Sequence, residues 1–294
     1  MAGSSADQEE IGTWGLLPST RNSRATKPSA SSTNTKRQTS GASVTGSMAD
    51  QINKYGLPRE ISPDVKRTVR RECGFGCVIC GCAIVQYEHF DPPFEEAREH
   101  NPAGIALLCG GCHDKKTRGF WSASKVAEAR RNPTSLKIGY SRDAFDLKSP
   151  FVLRVGSSIF ENVSTVVMTS EGERWFVIEE PEVDGGPVRL SATFYDTNGQ
   201  LSLDIQENEW RCFSKQWDTE IKGKRITVRR GARDIALELV VEPPHEISLT
   251  RLVMKKGDLG ISIERNGQLT LMRDGGTTTF EGNLVIGADA VFIV

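Results

Sequence analysis

Apolar and polar positions follow two different periods along this chain, and its first stretch follows none. From Phe151 to Val294, short runs rich in Val, Ile, Leu and Thr are separated by Thr-Asn-Gly, Arg-Gly-Ala-Arg-Asp, Arg-Asn-Gly and Asp-Gly-Gly. Runs of this length between glycine- and asparagine-bearing turns predict an all-β domain over 151–294. A β-sandwich is the first expectation. A β-solenoid is the second, because Gly282-Asn-Leu-Val-Ile-Gly-Ala-Asp-Ala-Val-Phe-Ile-Val294 reads like one rung of stacked coils. Asn198-Gly-Gln-Leu-Ser-Leu203 and Asn266-Gly-Gln-Leu-Thr-Leu271 echo one another, through a duplicated unit or through the same hairpin chemistry used twice.

Ahead of the β region the period is helical. Ile61 to Cys73 predicts a helix with Ser62 as N-cap, Pro63 at the first position and Asp64 near the positive end of the dipole; Val65 and Val69, four apart, form its buried stripe. A further short helix opens at Ser122 or Ser124, runs through Val126 and Ala129 to Arg131 and is stopped by Pro133. Residues 133–150 are expected to link the two regions. Residues 1–56, dense in Ser, Thr, Gly and Asn, bury too little apolar surface to offset the entropy of ordering, so a disordered leader is expected. Gly46-Ser47 before Met48 reads as a cloning scar or the end of a mis-called start, with Met48 opening the functional protein, or else residues before it form a natural arm whose Lys27, Lys36 and Arg37 touch phosphates. The chain therefore reads as α+β, with a small module over 57–132 followed by an all-β domain.

Length and composition narrow the function. At 294 residues two modest folded units are expected rather than one core. No apolar run approaches the roughly 18 residues that span a bilayer, and the N-terminus lacks an apolar signal core, so a cytoplasmic protein with no membrane contact is expected. A net charge of -1 gives no global attraction for a phosphate polymer, so nucleic-acid binding must come from local patches. Six of the seven cysteines lie between Cys73 and Cys112, a clustering that suits metal ligation in a reducing compartment better than scattered disulfides.

Cys77-Val-Ile-Cys80-Gly81 and Cys109-Gly-Gly-Cys112 are two Cys-x2-Cys hooks, a spacing that lets a tight turn offer two thiolates to one tetrahedral ion. Together they predict a four-thiolate zinc site, structural rather than catalytic because protein fills every position. Cys73, Cys82 and Cys212 read as core or spare thiols. Between the hooks stands Tyr87-Glu-His-Phe-Asp-Pro-Pro-Phe94, and His113 follows the second hook, with Lys115 and Lys116 beyond it.

These residues resemble the His-Asn-His endonuclease family over 57–132, with a Cys-x2-Cys hook, an acidic residue beside a histidine, and a Cys-x2-Cys-His followed by basic residues. The resemblance implies a ββα-metal fold in which a hairpin supplies the acidic-His pair and a helix the last His. It further implies metal-dependent hydrolysis of nucleic acid, with Glu88 and His113 as ligands of a catalytic Mg2+ or Mn2+ and His89 as the base. Glu88 and His89 are neighbours on a strand, so both reach one phosphate only where the hairpin is bent. The family's central Asn falls on Gly104, which has no side chain to hold the loop; Asn101, three residues earlier, substitutes only if the loop is re-routed.

Lys66, Arg67, Arg70 and Arg71 on the first helix, and Lys115, Lys116 and Arg118 after His113, form two basic clusters that predict salt-sensitive contact with phosphates, DNA first. Glu95, Glu96 and Glu99 oppose this field. Phe120-Trp121 reads first as core-closing, with stacking on a base as the alternative. His100 reads as a solvated helical pair with Glu96, and His245 as structural or exposed. A rival reading is a non-catalytic zinc knuckle that binds nucleic acid, its β domain recruiting a protein partner or a second copy. A third is an effector silent until a partner or ligand engages that domain.

Overall fold

A computed structural model of the chain describes residues 52–168, 174–273, 275–289 and 292–293. Of the expected leader, residues 1–51 lie outside the described residues, Met48 and the three basic residues with them. Residues 52–56 belong to the fold instead. Ile52 bridges Pro58, and the side-chain oxygen of Asn53 accepts from the backbone N–H of Tyr55 and Leu57 at 2.9 and 3.0 Å.

The first helix, α1, spans Pro63–Glu72 with proline in its first turn and Asp64 at its positive end; Val69 is fully buried and Val65 half-buried, the stripe the four-residue spacing requires. Strand β1 (Gln86–His89) pairs antiparallel with β2 (Ile105–Leu108), placing Glu88 opposite Ala106 and His89 opposite Ile105. All of β2 is buried, because α1 and a second helix, α2 (Gly110–Thr117), both pack on it. Helix α3 (Ala123–Arg131) opens at Ser122, whose hydroxyl accepts from the N–H of Lys125. Ile61, Val69, Phe90, Val126 and the β2 side chains close a small core around the first cysteine hook.

Residues 133–150 are not a free connection. They fold into helix α4 (Thr134–Ile138) and strand β3 (Tyr140–Ala144), and β3 pairs with Glu209–Phe213 as the edge of a larger sheet. The remaining chain is mainly β. Among the described residues one sheet of seven strands runs in the order 292–293, 165–168, 174–179, 189–195, 201–206, 209–213 and β3. A ten-stranded sheet runs from 218–222 through successive antiparallel neighbours to 276–280, with 152–155 pairing 246–256 in parallel and 158–161 and 284–286 added beyond it. Neither sheet closes into a barrel. Their inner faces share one core, in which Leu190, Ala192 and Phe194 of one sheet belong with Leu237, Leu239 and Leu252 of the other. Inward positions alternate along 246–256 until Leu249, then resume at Leu252, and the three-residue step coincides with a register shift opposite Glu238 and Leu239.

The sequence echo is two hairpin turns. Asn198-Gly199 joins 189–195 to 201–206 in one sheet and Asn266-Gly267 joins 259–263 to 269–273 in the other, each with its glycine at positive φ. The C-terminal segment does not form stacked coils; 284–286 and 292–293 each add in parallel to a strand, one per sheet.

The small module is fastened to the sheets on two sides, and the described residues fall within one compact unit. The turn after the first hook is bonded to β3, with Ala83 N–H donating to Arg142 O at 2.9 Å and Arg142 N–H to Gly81 O at 3.1 Å. On the other side Arg70 of α1 reaches Asp218 and Glu220 of the ten-stranded sheet. Among the described residues no helix is long and apolar enough to cross a membrane.

Candidate functional site

The two hooks meet. Cys77 and Cys80 flank a tight turn closed by Gly81 N–H donating to Cys77 O at 2.8 Å, with Gly81 in the left-handed region that a residue with a Cβ disfavours. Cys109 caps α2 and Cys112 lies in its first turn. The four sulfurs all lie within 4.8 Å of one another, with Cys80 3.6 Å from Cys109 and 3.8 Å from Cys112. A tetrahedral zinc with Zn–S bonds of about 2.3 Å spaces its sulfurs by roughly 3.8 Å, so this cluster could hold a structural zinc ion. Burial pushes the Cys80 thiol up to about 11 and raises Cys112 as well; a bound cation would reverse that preference. The remaining thiols stay outside the cluster. Cys73 and Cys212 are fully buried, and Cys82 donates to the Asp143 carboxylate at 3.0 Å.

Behind this cluster, α2 is laid across β1. The buried Glu88 carboxylate contacts His113 Nε2 at 2.9 Å through one oxygen and the Lys116 ammonium through the other. His89 is turned elsewhere. Its Nε2 lies 3.0 Å from Nδ1 of His100, and its ring meets Phe94 edge-on at 5.5 Å. Burial, reinforced by His100, pushes the pKa of His89 down to about 4, against the pull of Glu88. Glu88, His89 and His113 therefore do not form a three-residue cluster of metal-ligand distance; among the described residues the four cysteines do. Glu88 and His89 nevertheless border one cleft, because β1 bends after His89. The N–H groups of Phe90 and Asp91 both donate to the Gly104 carbonyl, at 3.0 and 3.4 Å, a two-against-one arrangement that turns the strand.

Gly104 serves this bend through its backbone. A Cβ there would lie 1.9 Å from the Asp91 carbonyl oxygen, so no larger residue fits the close approach. Asn101 is not re-routed to the loop; its side chain accepts from Ala103 N–H at 3.0 Å and caps the short turn Pro102–Gly104. The loop is held instead by Asn53, whose amide donates to the carbonyls of Phe94 and Ala97 at 2.7 and 2.6 Å.

The basic clusters divide. Arg70 is buried and unavailable to phosphates. It donates to both Asp218 oxygens at 2.8 and 2.6 Å, to Glu220 at 3.3 Å and to the Tyr87 hydroxyl at 2.8 Å. Burial opposes its charge, but Asp218 and Tyr87 outweigh burial and raise its pKa. Arg67 pairs with Asp64 and lies over Trp217, while Arg71 is exposed. Arg118 pairs with Asp114, and Lys115 lies over the half-buried Trp121. Phe120 does not close the core, being 79% exposed. Lys66 and Lys116 border the cleft, joined by Arg59, which the sequence reading passed over. Glu95 alone of the three glutamates lines it. His100 is on a loop rather than a helix, and His245 is exposed, its Nδ1 2.9 Å from the Pro150 carbonyl.

The cleft is about 520 Å³ and brings Arg59, Lys66, Glu88, His89, His113 and Lys116 to one surface. It thus combines two imidazoles and three cations with three carboxylates, those of Glu60, Glu88 and Glu95. Comparison of the chain with protein-family models, with curated proteins and with solved structures finds no match.

Proposed function

We propose that this chain is a metal-dependent endonuclease of the His-Asn-His type that hydrolyses phosphodiester bonds of nucleic acid, DNA first, with the β sheets serving specificity, assembly or regulation. The observation that carries this reading is the meeting of Glu88 and His113 at 2.9 Å in a cleft that His89, Arg59, Lys66 and Lys116 also border. The four-thiol cluster supports it, since a zinc there would clamp the helix bearing His113 to the hairpin bearing Glu88 and His89. One carboxylate and one imidazole leave room for water and substrate oxygens, which suits Mg2+ or Mn2+. When bound, such a cation neutralises charge on the non-bridging and leaving oxygens of the phosphodiester.

His89, kept neutral near pH 7 by its burial, is placed to take a proton from water as the new oxygen–phosphorus bond forms and the bond to the leaving oxygen breaks. Lys66, Lys116 and Arg59 neutralise flanking phosphates without reading bases, so binding is salt-sensitive and tolerant of sequence. The test is incubation of purified protein with supercoiled plasmid, single-stranded DNA and RNA in Mg2+ or Mn2+, beside His89→Ala and a chelator control. Cleavage abolished by both controls is the expected result; no cleavage of any substrate in either metal removes the reading.

The Glu88–Lys116 ion pair favours one second reading, because it leaves the carboxylate neutralised without a cation. In that case the module binds nucleic acid without cutting, and the sheets recruit a protein partner or a second copy. Salt-sensitive retention of DNA with no turnover selects it. Turnover only after addition of a partner selects a gated nuclease.

A further inference from the structure

His100 is the residue for which the cleft gives an unexpected role. Its Nε2 lies 2.9 Å from the Pro58 carbonyl oxygen, and a carbonyl only accepts, so Nε2 carries the proton. In its neutral form His100 has this one N–H, and Nδ1 is then a lone pair. That lone pair faces Nε2 of His89 at 3.0 Å, so the single N–H of a neutral His89 sits on Nε2, toward His100. Nδ1 of His89 is then bare, and among the described residues it has no hydrogen-bond partner. Phe94 braces both rings, edge-on to His89 at 5.5 Å and within 10° of parallel to His100 at 6.5 Å. The far end of the chain is fixed too: Pro58 is bridged to Ile52, and the intervening Asn53 is tied to the loop that carries Phe94.

We propose that His100 is a positioning residue which, held by the Pro58 carbonyl, locks His89 in the tautomer whose Nδ1 accepts the proton of the attacking water. This rests on the nuclease reading above and adds a member to its site. Oriented partners of this kind are worth about 10- to 100-fold in activity.

Two readouts test it on the full chain. Nitrogen-15 NMR of histidine-labelled wild-type protein should show His89 protonated at Nε2 and bare at Nδ1, a pattern lost in His100→Ala. Plasmid cleavage in Mn2+ should fall about 10- to 100-fold in kcat for His100→Ala with KM little changed. His100→Asn, whose side-chain oxygen can stand where Nδ1 stood, should recover most of the rate. Wild-type cleavage by His100→Ala, or a His89 proton found on Nδ1, overturns the proposal, and the wild-type spectrum decides even if His100→Ala fails to fold. A wild-type protein that cuts no nucleic acid but shows the stated tautomer refutes the nuclease reading, and reduces the histidine pair to a structural contact.

Discussion

Replacing Arg70 with Met should destabilise the module and the sheets together, by about 3 kcal/mol. The guanidinium and the Asp218 carboxylate are only 9% and 3% exposed, and Arg70 and Arg229 together balance Asp218 and Glu220. Removing Arg70 leaves one uncompensated negative charge in that buried cluster. Breaking a buried pair costs about 3–5 kcal/mol, and the lower end applies because Arg229 still lies 3.3 Å from Asp218. For a unit of this size each kcal/mol moves Tm by about 2–4 °C, so a drop of about 6–12 °C is expected. The assay is thermal and urea denaturation of zinc-loaded protein, followed in parallel by tryptophan fluorescence and by zinc release. Both signals should move through one transition in the wild type and shift together in the mutant. Arg70→Met/Asp218→Leu should recover part of the loss, since replacing both partners removes the orphaned charge. A single mutant within about 0.5 kcal/mol of wild type, the range of ordinary surface changes, refutes the argument. So do separate transitions for zinc release and fluorescence.

Gly104→Ala should cost about 3 kcal/mol, the upper end for overpacking, because the added Cβ meets a backbone oxygen that cannot swing aside. Gly104→Asn, the residue type of the family pattern, should fare no better, and denaturation midpoints equal to wild type for either would contradict the geometry. Wild-type protein should release one zinc per chain to a colorimetric chelator after unfolding. Cys77→Ala should lose the metal and the fold of the hairpin and α2, since a structural zinc contributes on the order of 10 kcal/mol; a folded variant that keeps its zinc rules out the ligand set.

Much of the site was legible in the sequence where chemistry is local. The hooks announced their cluster because two-residue spacing and adjacent glycines define a turn, and α1 was readable from Pro63, Asp64 and the Val65–Val69 stripe. The β region was readable from its turns. What escaped depends on partners distant in sequence. Nothing around Arg70 distinguishes it from its basic neighbours until Asp218, 148 residues later, is brought against it. The four-residue spacing of Glu96 and His100 pointed to a helical pair, whereas His100 stands on a loop whose geometry is set by Asn53 and Phe94. Residues 133–150 lacked a strong period because β3 is a short edge strand whose exposed side tolerates polar residues. That Gly104 departs from the pattern the sequence resembles was visible, but what holds the loop was not: a backbone carbonyl at Gly104 and an asparagine 51 positions upstream at Asn53.

The most direct test of the account is calorimetric titration of zinc-loaded protein with Mn2+. If Glu88 and His113 hold an exchangeable cation beside the structural zinc, the wild type binds one Mn2+ per chain. Glu88→Gln and His113→Ala should then lose that binding, while His89→Ala keeps it. Absence of Mn2+ binding in the wild type, or binding untouched by the Glu88 and His113 substitutions, would contradict it.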